Sequence, residues 1–471
     1  MTIKKALAFS FVEKYFALVA QLATTMVIAR LLTPAEFGVF ALAMSVTMLV
    51  TVFRDLGIGQ YLVQEKDLTR DRMRAALGIL AVSSGLLAVL VFLGSGQVAR
   101  FYGNDGLEGL LRILAVNFLG MPLGALATAS FRREMQFSKL AVIGILSVSA
   151  SSLVSVVLAT QGFSYYSLAW GSLAGTVVTA LSCYVLGPRG LPRLPGFAEA
   201  RHVLRYSSYA TLNGFLETLE DRLGATLLGK YSDFVNVGLF ERSSSLAQMF
   251  QRVIMQSVWS VAMPAFAKLS RDGAGTVEPY GRAVGMVCAL GAIFFTWMLI
   301  YADTIVHVML GDKWVAAVPV VRLIVVGSFF GLPNALSGSL LVATGQIKTQ
   351  TVVTIVLRGA SIVAVAVGVS NGAVGVASCL IVSSCLANGW LLYFLRSRCD
   401  VKMVMREAAL AYALCLAPAL VALAFRAFVG AGVILDAIGF AMSLAVWVSL
   451  LVLTRHSLWR EIIQRRARAP V

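Results

Sequence analysis

Residues 29–45 read ARLLTPAEFGVFALAMS, and residues 229–245 read GKYSDFVNVGLFERSSS. Laid over one another without a gap, they place Arg30 on Lys230, Gly38 on Gly238, Phe40 on Phe240 and Ser45 on Ser245. A second match follows at an offset of 211, where Phe118-Leu-Gly-Met-Pro122 lies over Phe329-Phe-Gly-Leu-Pro333. Self-similarity at a fixed period is the signature of a repeated architecture. Both matched prolines sit in apolar segments, where a proline kinks a helix and frees a carbonyl. Pro122 and Pro333 are therefore the expected kink or hinge positions.

Composition says what is repeated. Of the 471 residues, 59% are hydrophobic and only 13% are charged, and mean hydropathy is +0.84. A water-soluble chain has about half its residues apolar and a quarter charged. Apolar stretches of about 20 residues recur along the whole chain, which predicts an all-α polytopic membrane bundle. The ten-residue alternating segments of a membrane β-barrel do not stand out. No cleavable signal is expected at the start, MTIKKALAFSFVEKYF, which lacks a small-residue cleavage site.

Fourteen helices are predicted, over 8–30, 36–54, 74–95, 108–130, 139–160, 165–187, 205–229, 238–265, 282–302, 315–343, 350–369, 372–395, 404–426 and 432–454. The repeat then equates helices 1–6 with helices 7–12. The expected organisation is an N-terminal lobe over 1–187, a linker over 188–204 and a C-terminal lobe over 205–397. Helices 13 and 14 (398–454) and a basic tail (455–471) follow. Six helices per lobe is an even number, so the lobes share one orientation, as parallel repeats do.

The net charge of +16 is not a nucleic-acid footprint. Alternate short loops, the N-terminus and the tail hold 27 of the 39 lysines and arginines, and the positive-inside rule puts both termini in the cytoplasm. The tail, with Leu458, Trp459, Ile462 and Ile463 among its arginines, reads as an interfacial anchor on anionic lipid. The six cysteines show no CxxC spacing and the three histidines are scattered. Neither a disulfide framework nor a metal site is expected.

An ionisable residue at bilayer depth costs ~2.5 kcal/mol or more, so it usually faces a watery cavity and serves function. Helix 8 carries Arg242, Ser245, Met249, Arg252 and Gln256 at steps of 3, 4, 3 and 4, one face of an α-helix. The ten residues between the arginines span about 15 Å. Guanidinium forks bind phosphate oxygens in pairs, so this face suits a pyrophosphate. Arg242 could equally snorkel outward beside Glu241. Arg358 follows Gln350 and Thr354 at steps of four in helix 11, as an isolated deep arginine.

Helix 7 carries Asn213, Glu217, Glu220 and Asp221; helix 1 carries Glu13 and Lys14. A deep carboxylate beside a basic group couples a proton or sodium ion if it titrates with the transport state. The alternative is a static pair, Asp221–Arg222 or Glu217–Arg252. The candidate substrate-binding residues are Arg252, Arg358, Arg242, Lys14, Gln256 and Asn213, and the candidate ion-coupling residues are Glu217, Asp221, Glu220 and Glu13.

Residues 224–230, GATLLGK, mimic a P-loop, but Tyr231 replaces the required Ser or Thr and the run is apolar helix. Direct drive by ATP is not expected.

The stretch IARLLTPAEFGVFALAMS followed by DLGIGQYLVQEKDL from Asp55 resembles the start of polysaccharide-export and O-antigen (Wzx-type) flippases. These belong to the multidrug/oligosaccharidyl-lipid/polysaccharide exporter superfamily. EDRLGATLLGKYSDFVNVGLFERSSSLAQMF (220–250) followed by Met263-Pro264 resembles that family's seventh and eighth helices. The resemblance implies a two-lobed inner-membrane transporter, not an enzyme and with no cofactor. It would move undecaprenyl-pyrophosphate-linked oligosaccharides to the periplasmic leaflet for lipopolysaccharide or exopolysaccharide assembly. It implies contact with membrane lipids and, in some systems, with a polysaccharide polymerase or co-polymerase; a monomer is expected. Two alternatives stay open: an ion-coupled drug or cation exporter of the same superfamily, which would want an acidic cavity, and a membrane polymerase or ligase, for which the periplasmic loops are short.

Overall fold

A computed structural model describes residues 3–55, 58–65, 67–188, 190–192, 194–273, 275–396, 400–454 and 457–459, apart from the side chains of 3–11, 55, 60, 63–64, 201–202 and 204–217. Each of the fourteen predicted segments falls on helix. Among the described residues, eleven helical stretches are long and apolar enough to cross a membrane, and one of them, Ile347–Leu395, takes in two predicted helices. The seventh and eighth segments, which carry Glu217, Glu220, Asp221, Arg242 and Arg252, are not among those stretches. The basic tail after residue 459 lies outside the described residues.

The chain divides into two compact units. Unit 1 spans Met1–Gly238 with Met309–Lys313, and unit 2 spans Leu239–Val308 with Trp314–Val471.

Unit 1 contains α1 (Ile3–Leu31), α2 (Pro34–Asp55), the short α3 (Ile58–Gln64), α4 (Arg70–Tyr102), α5 (Gly106–Arg133), α6 (Phe137–Thr160), α7 (Tyr166–Leu186) and α8 (Ala200–Tyr231). Helix α6 packs on α1 and α7, α5 on α4 and α7, and α2 on α8. Local chemistry sets the boundaries. Thr69 Oγ1 accepts from Arg72 N–H at 3.3 Å to start α4, and Gly103, at φ 67°, closes it. Helix α3 is not among the predicted segments; it buries Ile58, Tyr61 and Leu62 against Ala75, Ala76 and Leu80 of α4.

The repeat is visible where α2 and α9 (Phe234–Ala247) begin. Thr33 and Glu36 form a capping box: Thr33 N–H donates to Glu36 Oε2 at 2.7 Å, and Glu36 N–H to Thr33 Oγ1 at 3.3 Å. Two hundred residues on, Asp233 caps α9 by accepting from Asn236 N–H at 2.7 Å. The two helix starts then cross at their glycines. A Cβ on Gly38 would lie 1.8 Å from the Phe234 carbonyl oxygen, and one on Gly238 would lie 2.0 Å from the Pro34 carbonyl oxygen. Residues equated by the offset thus face each other reciprocally, and only glycine permits so close an approach. Lysines fasten the same unit: Lys230 donates to Phe101 O at 2.6 Å and Lys313 to Leu31 O at 3.1 Å.

Unit 2 holds the rest of α9, a π-turn at Gln251–Met255, α10 (Gln256–Arg271), α11 (Val277–Ile300), α12 (Ala302–Leu310), α13 (Ala317–Gly331), α14 (Ser337–Ala343), α15 (Ile347–Gly368), α16 (Gly372–Leu395), α17 (Val401–Val429) and α18 (Val433–Leu453). An ionic network ties the last helices down. Arg426 pairs with Asp303 through both terminal nitrogens and lies 3.4 Å from Asp436, which is only 4% exposed and also accepts from Thr304. Burial opposes ionisation of Asp303, but the Arg426 guanidinium outweighs it and holds the carboxyl below its usual range.

The two matched prolines behave differently. Helix α5 runs unbroken through Pro122. At Pro333 the helix breaks: α13 stops at Gly331, a 3₁₀ turn covers Leu332–Asn334, and α14 starts at Ser337. The carbonyl of Phe329, four residues before the proline, accepts from Leu332 N–H and from Tyr412 OH at 3.0 Å, and the Ala335 carbonyl accepts from Trp259 Nε1–H at 3.1 Å. Side chains supplied by α17 and α10 thus satisfy the opened backbone.

Candidate functional site

The π-turn decides which residues reach open space in unit 2. Gln256 N–H donates to Gln251 O, five residues back, so the helix holds one more residue than an α-helical turn would. A face read at α-helical steps across this point loses its register. Arg242, ahead of the turn, is 8% exposed and sits in the interior; Arg252 and Gln256 are exposed. The expected ladder from Arg242 to Gln256 is split in two.

Beside the turn lies a cavity of about 360 Å³. Its polar lining is Ser244, Gln248, Gln251, Ser328 and Ser384, and its aromatic lining is Phe250, Trp259 and Phe295. Among the described residues no ionisable side chain lines it. Arg252 is not itself part of the lining; it donates to the lining residue Gln248, at Oε1, over 3.3 Å. The far wall is the break at Pro333: Gly331, Leu332 and Ala335 face the cavity. Within that break Asn334 donates to Asn388 Oδ1 at 2.7 Å, and Asn388 donates to Ser384 O at 2.6 Å.

The other predicted residues are dispersed. Arg358 is half-buried on α15, which packs on α16 and α14, and it is not part of the cavity lining. In unit 1, Lys14 is exposed, and Glu13 is half-buried where α1 meets α6, its carboxylate against Gly144. Glu220 is half-buried and Asp221 exposed on α8. The side chains of Asn213 and Glu217 lie outside the described residues. The structure therefore hydrogen-bonds Arg252 to a lining residue, Gln248, and puts none of Arg242, Arg252 and Arg358 in the lining itself. The uncharged residues Gln248, Gln251, Ser328 and Ser384 are not among the predicted site residues. The only pointer to them in the sequence is Gln248, one α-helical turn before Arg252.

The sequence profile of the family described as "Polysaccharide biosynthesis protein" matches residues 27–319. The lipopolysaccharide biosynthesis protein WzxC of Escherichia coli (strain K12) is 24% identical over 329 residues, covering 68% of this chain and 66% of that protein. The succinoglycan biosynthesis transport protein ExoT of Rhizobium meliloti (strain 1021) is 22% identical over 485 residues, covering 100% and 97%. Among solved structures, the lipid II flippase MurJ in an inward closed conformation superposes with TM-score 0.81 at 13% identity, covering 97% of this chain and all of that one. An inward-facing multidrug resistance transporter of the MATE family and the MOP superfamily gives 0.64 at 13% identity, covering 83% and 96%. The fold is multi-pass and all-α, like that of these two structures.

Proposed function

The chain belongs to the polysaccharide biosynthesis protein family, and on that premise we propose that it is a flippase for undecaprenyl-pyrophosphate-linked oligosaccharide units. It carries them from the cytoplasmic to the periplasmic leaflet of a bacterial inner membrane, for assembly of lipopolysaccharide or exopolysaccharide, by alternating access of its two repeats. Both termini are cytoplasmic. The observation that carries this reading is Arg252: an exposed arginine in a π-turn, hydrogen-bonded to Gln248 of a cavity with no charge of its own among the described residues. A pyrophosphate meets an arginine through paired, charge-assisted hydrogen bonds. The names of the relatives, one a lipopolysaccharide biosynthesis protein and one a succinoglycan transport protein, support the same class of cargo.

A drug or cation exporter would want a carboxylate in the cavity, and the unit 2 cavity is lined by none among the described residues. The driving force is a proton or sodium gradient or the membrane potential, with Glu13, Glu217, Glu220 and Asp221 the candidate coupling carboxylates. A polymerase or co-polymerase is the partner that would receive the flipped unit.

Deletion of the protein tests the reading. Complete lipid-linked repeat units should accumulate on the cytoplasmic leaflet while surface polysaccharide disappears. Normal polysaccharide together with heightened sensitivity to cationic drugs would move the protein to the drug-exporter branch.

A further inference from the structure

We propose that the unit 2 cavity is a saccharide subsite that takes the neutral sugar ring nearest the pyrophosphate. The proposal rests on the flippase reading and adds to it which part of the cargo sits where.

The lining has the chemistry of sugar recognition. Gln248 and Gln251 offer amides, and Ser244, Ser328 and Ser384 offer hydroxyls; each side chain both donates and accepts, as adjacent hydroxyls of a pyranose require. Trp259 and Phe295 supply aromatic surface, whose electron-rich face attracts the polarised C–H groups of a sugar ring. A volume of about 360 Å³ lies within the ~300–1,000 Å³ typical of small-molecule sites. Five polar side chains make the cavity costly for a polyprenyl tail. The absence of lining charge among the described residues disfavours a metal cation or a pyrophosphate inside it.

Position supplies the second argument. In a pyrophosphate-linked glycan the first sugar is bonded directly to phosphate. A pyrophosphate held by Arg252 therefore brings that sugar to Gln248, the residue to which Arg252 is hydrogen-bonded.

The test uses the full chain in nanodiscs and two probes, undecaprenyl pyrophosphate and undecaprenyl-pyrophosphoryl-N-acetylglucosamine, with binding followed by native mass spectrometry. The wild type should prefer the sugar-bearing probe by about tenfold, the worth of one or two net hydrogen bonds. Gln251→Ala, which trims an exposed side chain, and Trp259→Ala should each bring that preference close to unity and leave affinity for the bare lipid unchanged. Arg252→Ala should weaken both probes alike and keep the preference. If the wild type binds both probes equally, or Gln251→Ala keeps the full preference, the subsite is overturned while the flippase reading stands. If the wild type binds neither probe, the flippase reading itself fails.

Discussion

Helix α2 and the α9–α10 stretch begin as near copies and end as different devices. Both start on a side-chain cap, at Thr33 and at Asp233, and both reach a glycine five residues later that seats against the other's first carbonyl. From there α2 runs without a break to Asp55. Its arginine, Arg54, is 6% exposed, with the guanidinium 5.7 Å from the Phe118 ring and the carbonyl accepting from Ser83. The second copy gains a π-turn at the matching depth, and its arginine, Arg252, is exposed at a cavity. The same residue type becomes a packing element in one repeat and an open cation in the other. The difference lies in helix register and burial, not in composition.

The comparison breaks most severely at its shared part. Gly38→Leu or Gly238→Leu forces a side chain into a main-chain carbonyl and should cost more than about 3 kcal/mol, the upper end for overpacking. Membrane abundance and thermal unfolding in detergent measure it. The two variants should fall by similar amounts, and a neutral result for either would mean that the glycines do not seat reciprocally.

Next in size is the part that differs. Deleting Ile254 should remove the extra residue of the π-turn and restore plain α-helical register. Export should drop at least tenfold with abundance retained, because the lining residues after the turn, Met255 and Trp259, would rotate away from their present places relative to Arg252. Unchanged export would separate the π-turn from the site.

A smaller effect is expected in the first copy. Arg54→Ala should destabilise by about 1–3 kcal/mol, the cost of a lost desolvated cation–π contact and of exposed packing, while export per folded molecule stays at the wild-type level. An export defect in well-folded protein would give Arg54 a transport role and erase the contrast.

The smallest effect lies outside both copies. Asp303 has a carboxyl held below the usual ~3.9, so its pairing with Arg426 contributes stability above that pH and loses it as pH falls through the lowered value. Detergent-solubilised protein should melt earlier under such acid conditions, and Asp303→Asn should flatten that part of the profile. Persistence of the full acid slope in the variant would remove Asp303 as its source.

Much of this architecture is legible in the sequence. Apolar stretches locate fourteen helices, and the offset of 200 equates the two glycines that seat against each other. What stays hidden has physical reasons. A π-turn shifts hydrogen bonding by one residue and leaves no mark in hydrophobic period, so Gln256 reads on one face with Arg252 though the turn rotates it away, and only tertiary packing buries Arg242 while leaving Arg252 exposed. Pro122 and Pro333 look equivalent, yet only Pro333 breaks its helix; Tyr412 and Trp259, 79 and 74 residues away in sequence, satisfy the opened carbonyls there. Asp303, Arg426 and Asp436 meet only through tertiary packing. The cavity is lined by small and uncharged residues drawn from α9, α10, α11, α13 and α16, and a search for embedded charge passes over them.

Arg252→Ala, followed by analysis of lipid-linked intermediates, tests the central claim most directly. The variant should reach the membrane at wild-type abundance, accumulate complete undecaprenyl-pyrophosphate-linked units on the cytoplasmic leaflet and lose surface polysaccharide, with Arg252→Lys only partly restoring export. Normal surface polysaccharide from Arg252→Ala, with no accumulated intermediate, would contradict the claim that this arginine holds the pyrophosphate.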